Sequence, residues 1–384
     1  MCLFSSQSAA GAWSGYLSTE FRGFIHGPND PRQHQNDFSL AAEPVYYTDW
    51  NEGRQSFAFV PFARIDQYDK RRTHVDIREL TWLMVGKQWE LRIGIRKVFW
   101  GVTESQHLVD IINQTDLVEN PEGEEKLGQP MINVALIRKW GALDFFIMPY
   151  FRERTFPGVE GRLRTFPRVD SSQSQYESSR KENHIDYAIR WSYFIGDWDI
   201  GISHFNGTSR DPSFKLGVDN GESVLIPFYY LIRQTSVDIQ ATKGAWLWKL
   251  EAIRRSGQGE TYYAATGGLE YTFFEIFVSD INLGLVLEYM YDDRGKKATT
   301  PFEDDTFLGF RFAFNDEQST EALIGSIVDN NGDAFAYSLK AGRRIGEHWK
   351  LSVESRFYQN ISSSDPLYSF RNDDYVQLNL AYHF

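Results

Sequence analysis

A two-residue hydrophobic period recurs along the whole chain and constrains the fold more than any other feature. In YVQLNLAYHF, residues 375–384, Val376, Leu378, Leu380, Tyr382 and Phe384 are apolar, while Tyr375, Gln377, Asn379, Ala381 and His383 are mostly polar or small. Such a period puts alternate side chains on opposite faces of an extended strand. WELRIGIRK sets Trp89, Leu91, Ile93 and Ile95 against Glu90, Arg92, Gly94 and Arg96. HWKLSVESRF sets Trp349, Leu351, Val353 and Phe357 against Lys350, Ser352, Glu354 and Arg356. GDWDIGISHF, AWLWKLEA and NLGLVLEYMYD repeat the pattern, so the chain reads as all-β.

The connections follow a rhythm of their own. Tight turns at 51–53, 86–88, 140–141, 195–197, 243–244, 275–279, 315–317 and 346–347 join pairs of alternating runs. Between the resulting hairpins lie longer polar stretches, at 27–39, 67–73, 100–130, 153–183, 208–230, 256–261, 293–304, 330–332 and 359–372. Short turns on one side and long loops on the other predict a closed antiparallel transmembrane β-barrel of about 18 strands. Sixteen is the alternative count, because the pair at 14–25 and 40–49 is less regular. An even number places both ends on the periplasmic side. Pro44, Pro61 and Pro149 fall within predicted strands and mark bulges or strand ends, since proline cannot donate to a ladder. A soluble β-sandwich would show the same alternation, with its charges outside. Trp13, Trp50, Trp82, Trp89, Trp100, Trp140, Trp198 and Trp349 near strand ends favour the barrel, where such rings sit at headgroup level.

Composition removes other classes. Among 384 residues, 42% are hydrophobic and 16% aromatic, yet no stretch nears the roughly 18 apolar residues of a spanning helix. The formal net charge of -12 argues against a nucleic-acid partner, which needs a basic face. Cys2 is the single cysteine, so no internal disulfide forms. Residues 1–11 read as a leader remnant or flexible N-terminus ahead of one barrel domain, 12–384. No phosphate-binding glycine loop or cofactor motif is present, and none is expected. Histidines 26, 34, 74, 107, 184, 348 and 383 lack metal-ligand spacing. Residues 329–333, DNNGD, resemble the start of a calcium loop without its downstream glutamate and read as a tight turn.

The final Leu378, Leu380, Tyr382 and Phe384 resemble the signal by which outer-membrane barrels are recognised for assembly. More broadly, the chain resembles a largely uncharacterised porin-like family of proteobacterial outer-membrane β-barrel proteins. The resemblance is carried by residues 74–105, HVDIRELTWLMVGKQWELRIGIRKVFWGVTES, by HLVDIINQTDLVENP with its IN-x-x-D element, and by FFIMPYFRERTFP and ISHFNGTSRDPSF. It implies a Gram-negative outer membrane location and a channel that does no chemistry. The partners it implies are outer-membrane lipids, the barrel assembly machinery and a periplasmic or inner-membrane transport partner.

Residues 100–130 form the third long loop, which in general porins folds into the lumen and narrows it. Leu108, Ile111, Ile112 and Leu117 predict a short amphipathic helix capped by Thr103 or Ser105. Asp110, Asp116, Glu119, Glu122, Glu124 and Glu125 make the loop acidic. Arg78, Arg92, Arg96, Arg190, Arg311, Arg343 and Arg356 are the lumen arginines, either an ion-selective ladder or cross-paired wall supports. The acidic loops favour cations or neutral solutes. Two other readings compete with a solute channel. Phe146, Met148 and Tyr150 beside Phe312 and Phe314 would form an apolar track in a lipid or hydrophobic-compound export system. His204, Asn206 and Ser209 in SHFNGTS resemble the residues of an outer-membrane lipid hydrolase, without its spacing.

Overall fold

The computed structural model describes residues 11–384; Cys2 and nearly all of the predicted leader segment lie outside them. The strands are β1 Ala12–Phe24, β2 Asn36–Trp50, β3 Gln55–Asp66, β4 His74–Val85, β5 Trp89–Arg96, β6 Gln129–Arg138, β7 Gly141–Met148, β8 Gln175–Tyr176, β9 Asp186–Ile195, β10 Trp198–Thr208, β11 Ser213–Asp219, β12 Glu222–Tyr229, β13 Leu231–Lys243, β14 Trp246–Ser256, β15 Tyr262–Phe273, β16 Asn282–Asp292, β17 Asp304–Ala313, β18 Glu321–Asp329, β19 Phe335–Ile345, β20 Trp349–Gln359 and β21 Tyr375–His383. All but β8, β11 and β12 belong to one 18-stranded sheet. Each strand pairs antiparallel with its neighbours, and β1 pairs with both β2 and β21, so the sheet closes. The register runs from Phe24 opposite Tyr375 to Tyr16 opposite His383, and the Phe384 N–H donates to the Gly15 carbonyl at 3.1 Å. Closure leaves no edge strand, and the larger of the two expected counts holds.

The alternation sorts the wall into two faces. On β1, Trp13, Leu17 and Phe21 point outward, and Ser18, Glu20 and Arg22 are buried inside. On β21, Val376, Leu378, Leu380 and Phe384 are exposed outward while Tyr375 and Ala381 are buried. Exposed Trp13, Trp89, Trp140, Trp198, Trp246 and Trp349 gather at the rim that carries the short turns. Trp100 departs from the expected girdle: it is buried inside the barrel. Arg343 also departs from expectation, because its cross-strand partner Leu351 puts it on the outward face near a turn.

The loops on the opposite rim are L1 (25–35), L2 (67–73), L3 (97–128), L4 (149–185), L5 (209–230), L6 (257–261), L7 (293–303), L8 (330–334) and L9 (360–374). L4 and L5 contribute the small sheet β8–β12–β11. L4 ties the mouth together: Arg162 reaches Asp373 of L9 (2.7 Å), Arg164 reaches Asp30 of L1 (2.9 Å), and the Gly158 N–H reaches Asp69 of L2 (2.9 Å). The prolines behave as strand breakers. Pro61 adjoins a bulge in the β3–β4 pairing, Pro149 directly follows β7, and Pro44 lies in an interruption of the β2–β3 ladder.

Candidate functional site

L3 enters the barrel and crosses it. It contains no helix, contrary to the periodicity of Leu108, Ile111 and Ile112. Two wall carboxylates take the backbone amides of the segment where the helix was expected to start. Glu251 of β14, fully buried, accepts from the Val102 and Thr103 N–H groups (2.7 and 3.1 Å), the Thr103 hydroxyl (2.8 Å) and the Val109 N–H (3.1 Å). Glu288 of β16 accepts from the Glu104 and Ser105 N–H groups (both 2.8 Å) and the Ser105 hydroxyl (2.7 Å). Charge-assisted bonds to a desolvated carboxylate outcompete a short helix, whose nucleation is costly. Thr103 and Ser105, expected as helix caps, serve these glutamates instead.

The apolar half of L3 then packs on the inner wall. Trp100, Val109, Ile111 and Ile112 form a cluster with Met131, Phe146, Met148, Phe205, Ile232 and Ile253 from β6, β7, β10, β13 and β14. Phe146 and Met148 therefore lie beneath L3, whereas Phe312 and Phe314 follow the outward register of exposed Leu308 and Phe310; the expected common track does not form. Asn113, fully buried, closes the base of the loop. It accepts from the Val98 N–H (2.8 Å) and donates to the Arg96 and Leu127 carbonyls (2.7 and 2.8 Å). Arg210 donates to the Ile112 carbonyl (2.9 Å) while paired with Asp186 (2.7 Å).

The acidic half projects to the far side. Asp116 accepts from the Thr155 hydroxyl (2.7 Å) and faces Arg78 at 3.5 Å. Glu119 meets Arg64 (2.8 Å), His74 (2.8 Å) and Arg78 (3.8 Å). Glu122 contacts Arg356 and, at 2.6 Å, Lys340; Glu124 also contacts Lys340; Glu125 pairs with Arg78 at 3.2 Å. The bulge opposite Val60 and Pro61 turns Arg78 inward beside Glu79, and its guanidinium lies 4.2 Å from the Phe62 ring. Bulges commonly re-aim a side chain in this way. Asp110 remains with the apolar half, paired with Lys126 at 3.2 Å.

Burial sets the ionisation of these groups. It raises the Asp116 carboxyl above its ordinary range, against the pull of Arg78 and the Thr155 hydroxyl. Asp110 is likewise raised by burial, partly offset by Lys126. For Glu119 burial acts in the same direction, yet the His74 hydrogen bond and the Arg64 and Arg72 charges outweigh it and hold the carboxyl below its usual range. His107, 3.8 Å from Glu251, is lowered by burial but raised overall by that carboxylate.

The predicted arginines Arg78, Arg92, Arg96, Arg190, Arg311 and Arg356 all point inward, and most are neutralised. Arg190 pairs with Asp238 through two bonds of 2.7 Å, Arg311 with Glu104 (2.6 Å) and Glu270 (3.2 Å), and Arg92 with Glu90. Arg96 instead donates to the Asn133 amide oxygen at 3.0 Å, and among the described residues it forms no ion pair. The hydrolase residues are not brought together. His204 and Asn206 face outward, His204 hydrogen-bonding the Thr235 hydroxyl at 2.9 Å, whereas Ser209 is buried and bonded to Asp211 and Gln258. Among the described residues no cluster of metal-ligating side chains occurs. Glu251, Glu288, Asn113, Arg64, His74 and Lys340 were not singled out as site residues by sequence. The available signal was the IN-x-x-D element, whose Asn113 and Asp116 are both fully buried, together with acids at inward positions of β14 and β16.

No family model matches the chain, and no curated protein matches it. Solved structures do. A triple mutant of Rh. blastica porin is 12% identical with a TM-score of 0.48, and a double mutant of that porin is 13% identical with a TM-score of 0.47. A structure described as "Asymmetric conductivity of engineered proteins" matches with 12% identity and a TM-score of 0.48. Each match covers 98% of this chain and 100% of the other. Likeness this distant assigns no solute and no residue role.

Proposed function

We propose that this protein is a channel of a Gram-negative outer membrane, passing a small solute through a lumen narrowed by L3. One observation carries the reading: a closed barrel with apolar side chains outward and ionisable ones inward holds a long loop across its interior by ion pairs on opposite walls. A wall of this polarity suits lipid outside and water inside. The loop's paired charges leave little net field for strong anion selection, and its acids favour cations or neutral solutes. Leu378, Leu380, Tyr382 and Phe384 serve assembly through the barrel machinery. The turn rim is the side that would meet a periplasmic partner.

Planar-bilayer recording of the purified protein tests the proposal. A small unitary conductance is expected, rising when Glu122 is freed by Lys340→Ala with Arg356→Ala. Silence in both proteins, each shown to insert, would remove the channel reading.

A further inference from the structure

L3 touches the wall in dry places and in wet ones. On β1–β4 the inward Ser18, Ser39, Arg64 and Arg78 are buried, and on β13, β14 and β16 so are Gln234, Ser236, Glu251 and Glu288. The Arg78–Asp116 pair is only 3% and 0% exposed. Two other bridges differ. Arg311 of β17 and Glu104 are 38% and 26% exposed, and Lys340 of β19 and Glu124 are 32% and 47% exposed. Between these bridges stands Leu323 of β18, directly opposite Arg311 on one side and Lys340 on the other. Leu323, Ser338 and Gly342 share the inward parity of Lys340 and are half-buried. A Cβ added at Gly342 would meet nothing nearer than the Lys350 side chain at 3.5 Å, so the space in front of it is open.

The loops above repeat this asymmetry. L4 rests directly on the acidic half of L3, the Thr155 hydroxyl accepting from the Val118 N–H (3.2 Å) and donating to Asp116 (2.7 Å). A cavity of about 20 Å³ between the two loops, beside Arg72, Val118, Pro157 and Arg162, has room for about one water. The β11–β12 hairpin leaves the wall between β10 and β13, half-way round the ring from β1. Its tip nevertheless reaches L1, where Arg32 donates to both Glu222 oxygens (2.9 and 3.1 Å). Over β18 and β19 the connection is L8, residues 330–334, which is too short to reach across the mouth.

We propose that solute crosses at one off-centre window over Leu323, between the Glu104–Arg311 and Glu124–Lys340 bridges. L3, L4 and the β11–β12 hairpin together form a fixed plug over the rest of the cross-section. The inference rests on the channel reading. Arg311 and Lys340 stand two strands apart, so their backbones are roughly 10 Å from each other at about 4.8 Å per strand. Each edge of the window carries a cation and an anion, and Leu323 is its apolar floor. Glu122, bound to Lys340 and Arg356, seals the side toward β20. Arg64, Arg72 and Arg78 lie under the plug and do not meet the solute; Arg311, Leu323 and Lys340 do.

The test uses planar bilayers and the full chain carrying Cys2→Ser, so that each introduced thiol is the only one. Cysteine is placed in the window by Leu323→Cys, Ser338→Cys and Gly342→Cys, and under the plug by Ser18→Cys and Ser236→Cys. A trimethylammonium-ethyl methanethiosulfonate is added to both sides, and mass spectrometry reads the modification. The window variants should react and fall several-fold in unitary conductance, while the plug variants stay unmodified and conduct as before. Three window positions are used so that one folded variant, judged by heat-modifiable migration, suffices. A comparable fall at Ser18→Cys or Ser236→Cys overturns the proposal. So do window thiols that fail to react, or that react without loss of conductance. A Cys2→Ser parent that inserts and never conducts overturns the channel reading instead, and the window falls with it.

Discussion

The two halves of L3 are held in opposite ways. The half from Trp100 to Ile112 is bound mainly through its backbone: Glu251 and Glu288 collect its amide protons while its apolar side chains fill an apolar bed and Glu104 adds one ion pair, to Arg311. The half from Asp116 to Glu125 is bound through its side chains, by carboxylates reaching Arg64, Arg78, Lys340 and Arg356. Backbone amides cannot be titrated away, and a desolvated carboxylate holding several of them is strongly coupled to the loop's shape. Ion pairs respond to single substitutions, and the least buried of them, to Lys340, also to salt. One half is therefore anchored by its shape and the other by its charges.

The comparison breaks first if the backbone-bound half is not the stronger. Glu251→Ala with Glu288→Ala strands several buried N–H donors, at roughly 1–3 kcal/mol each. This double variant should show the largest fall in melting temperature and the largest gain in conductance. A stability loss smaller than that of any ion-pair variant would invert the assignment. Next comes Arg78→Ala, which leaves Asp116 buried without its cation. Breaking a buried pair from one side costs roughly 3–5 kcal/mol, and the companion Asp116→Asn should recover much of it; thermal melts of the two variants and their combination decide.

Acid is expected to have a smaller and counterintuitive effect. Burial raises Asp116 and Asp110, so the folded state holds those protons more tightly. Their stabilising contribution is complete below the ordinary aspartate value and is lost as pH rises through the raised one. Glu119 is lowered, so its contribution is present above the ordinary glutamate value and survives well into acid. Between about pH 7 and about pH 4 the loop should thus stay docked, with conductance level or falling; opening near pH 6 would contradict this. The smallest effect belongs to Lys340→Ala. Its ammonium is about one-third exposed, and such pairs contribute roughly 0–1 kcal/mol. Conductance should rise slightly at low salt and match the parent at high salt.

Much of the architecture was legible because its period is two. Lumen and lipid faces follow directly from alternation, which is why Arg92, Arg311, Arg356 and the outward Leu378 and Leu380 were placed without coordinates. Arg343 failed because it shares the parity of outward Tyr337 and Ile345 on a strand whose register runs unbroken to the turn. L3 was legible as a long acidic loop and illegible in shape. Apolar residues at 108, 111 and 112 match helical spacing equally well when they are simply the contacts of an irregular segment. Nothing local reveals that Glu251, on another strand, supplies the competing acceptors.

By itself, then, the sequence determined the all-β class, strand polarity and the alternation of turns and loops, and narrowed the barrel to 16 or 18 strands, all from near neighbours. Only the tertiary structure decided which carboxylate meets which arginine and how L3 crosses the lumen. Those outcomes depend on closure: bending the sheet until β21 meets β1 brings Glu104 to Arg311 and Glu122 to Arg356. These partners are about two hundred residues apart in sequence, and no local pattern records which charge will stand opposite which once the sheet has closed.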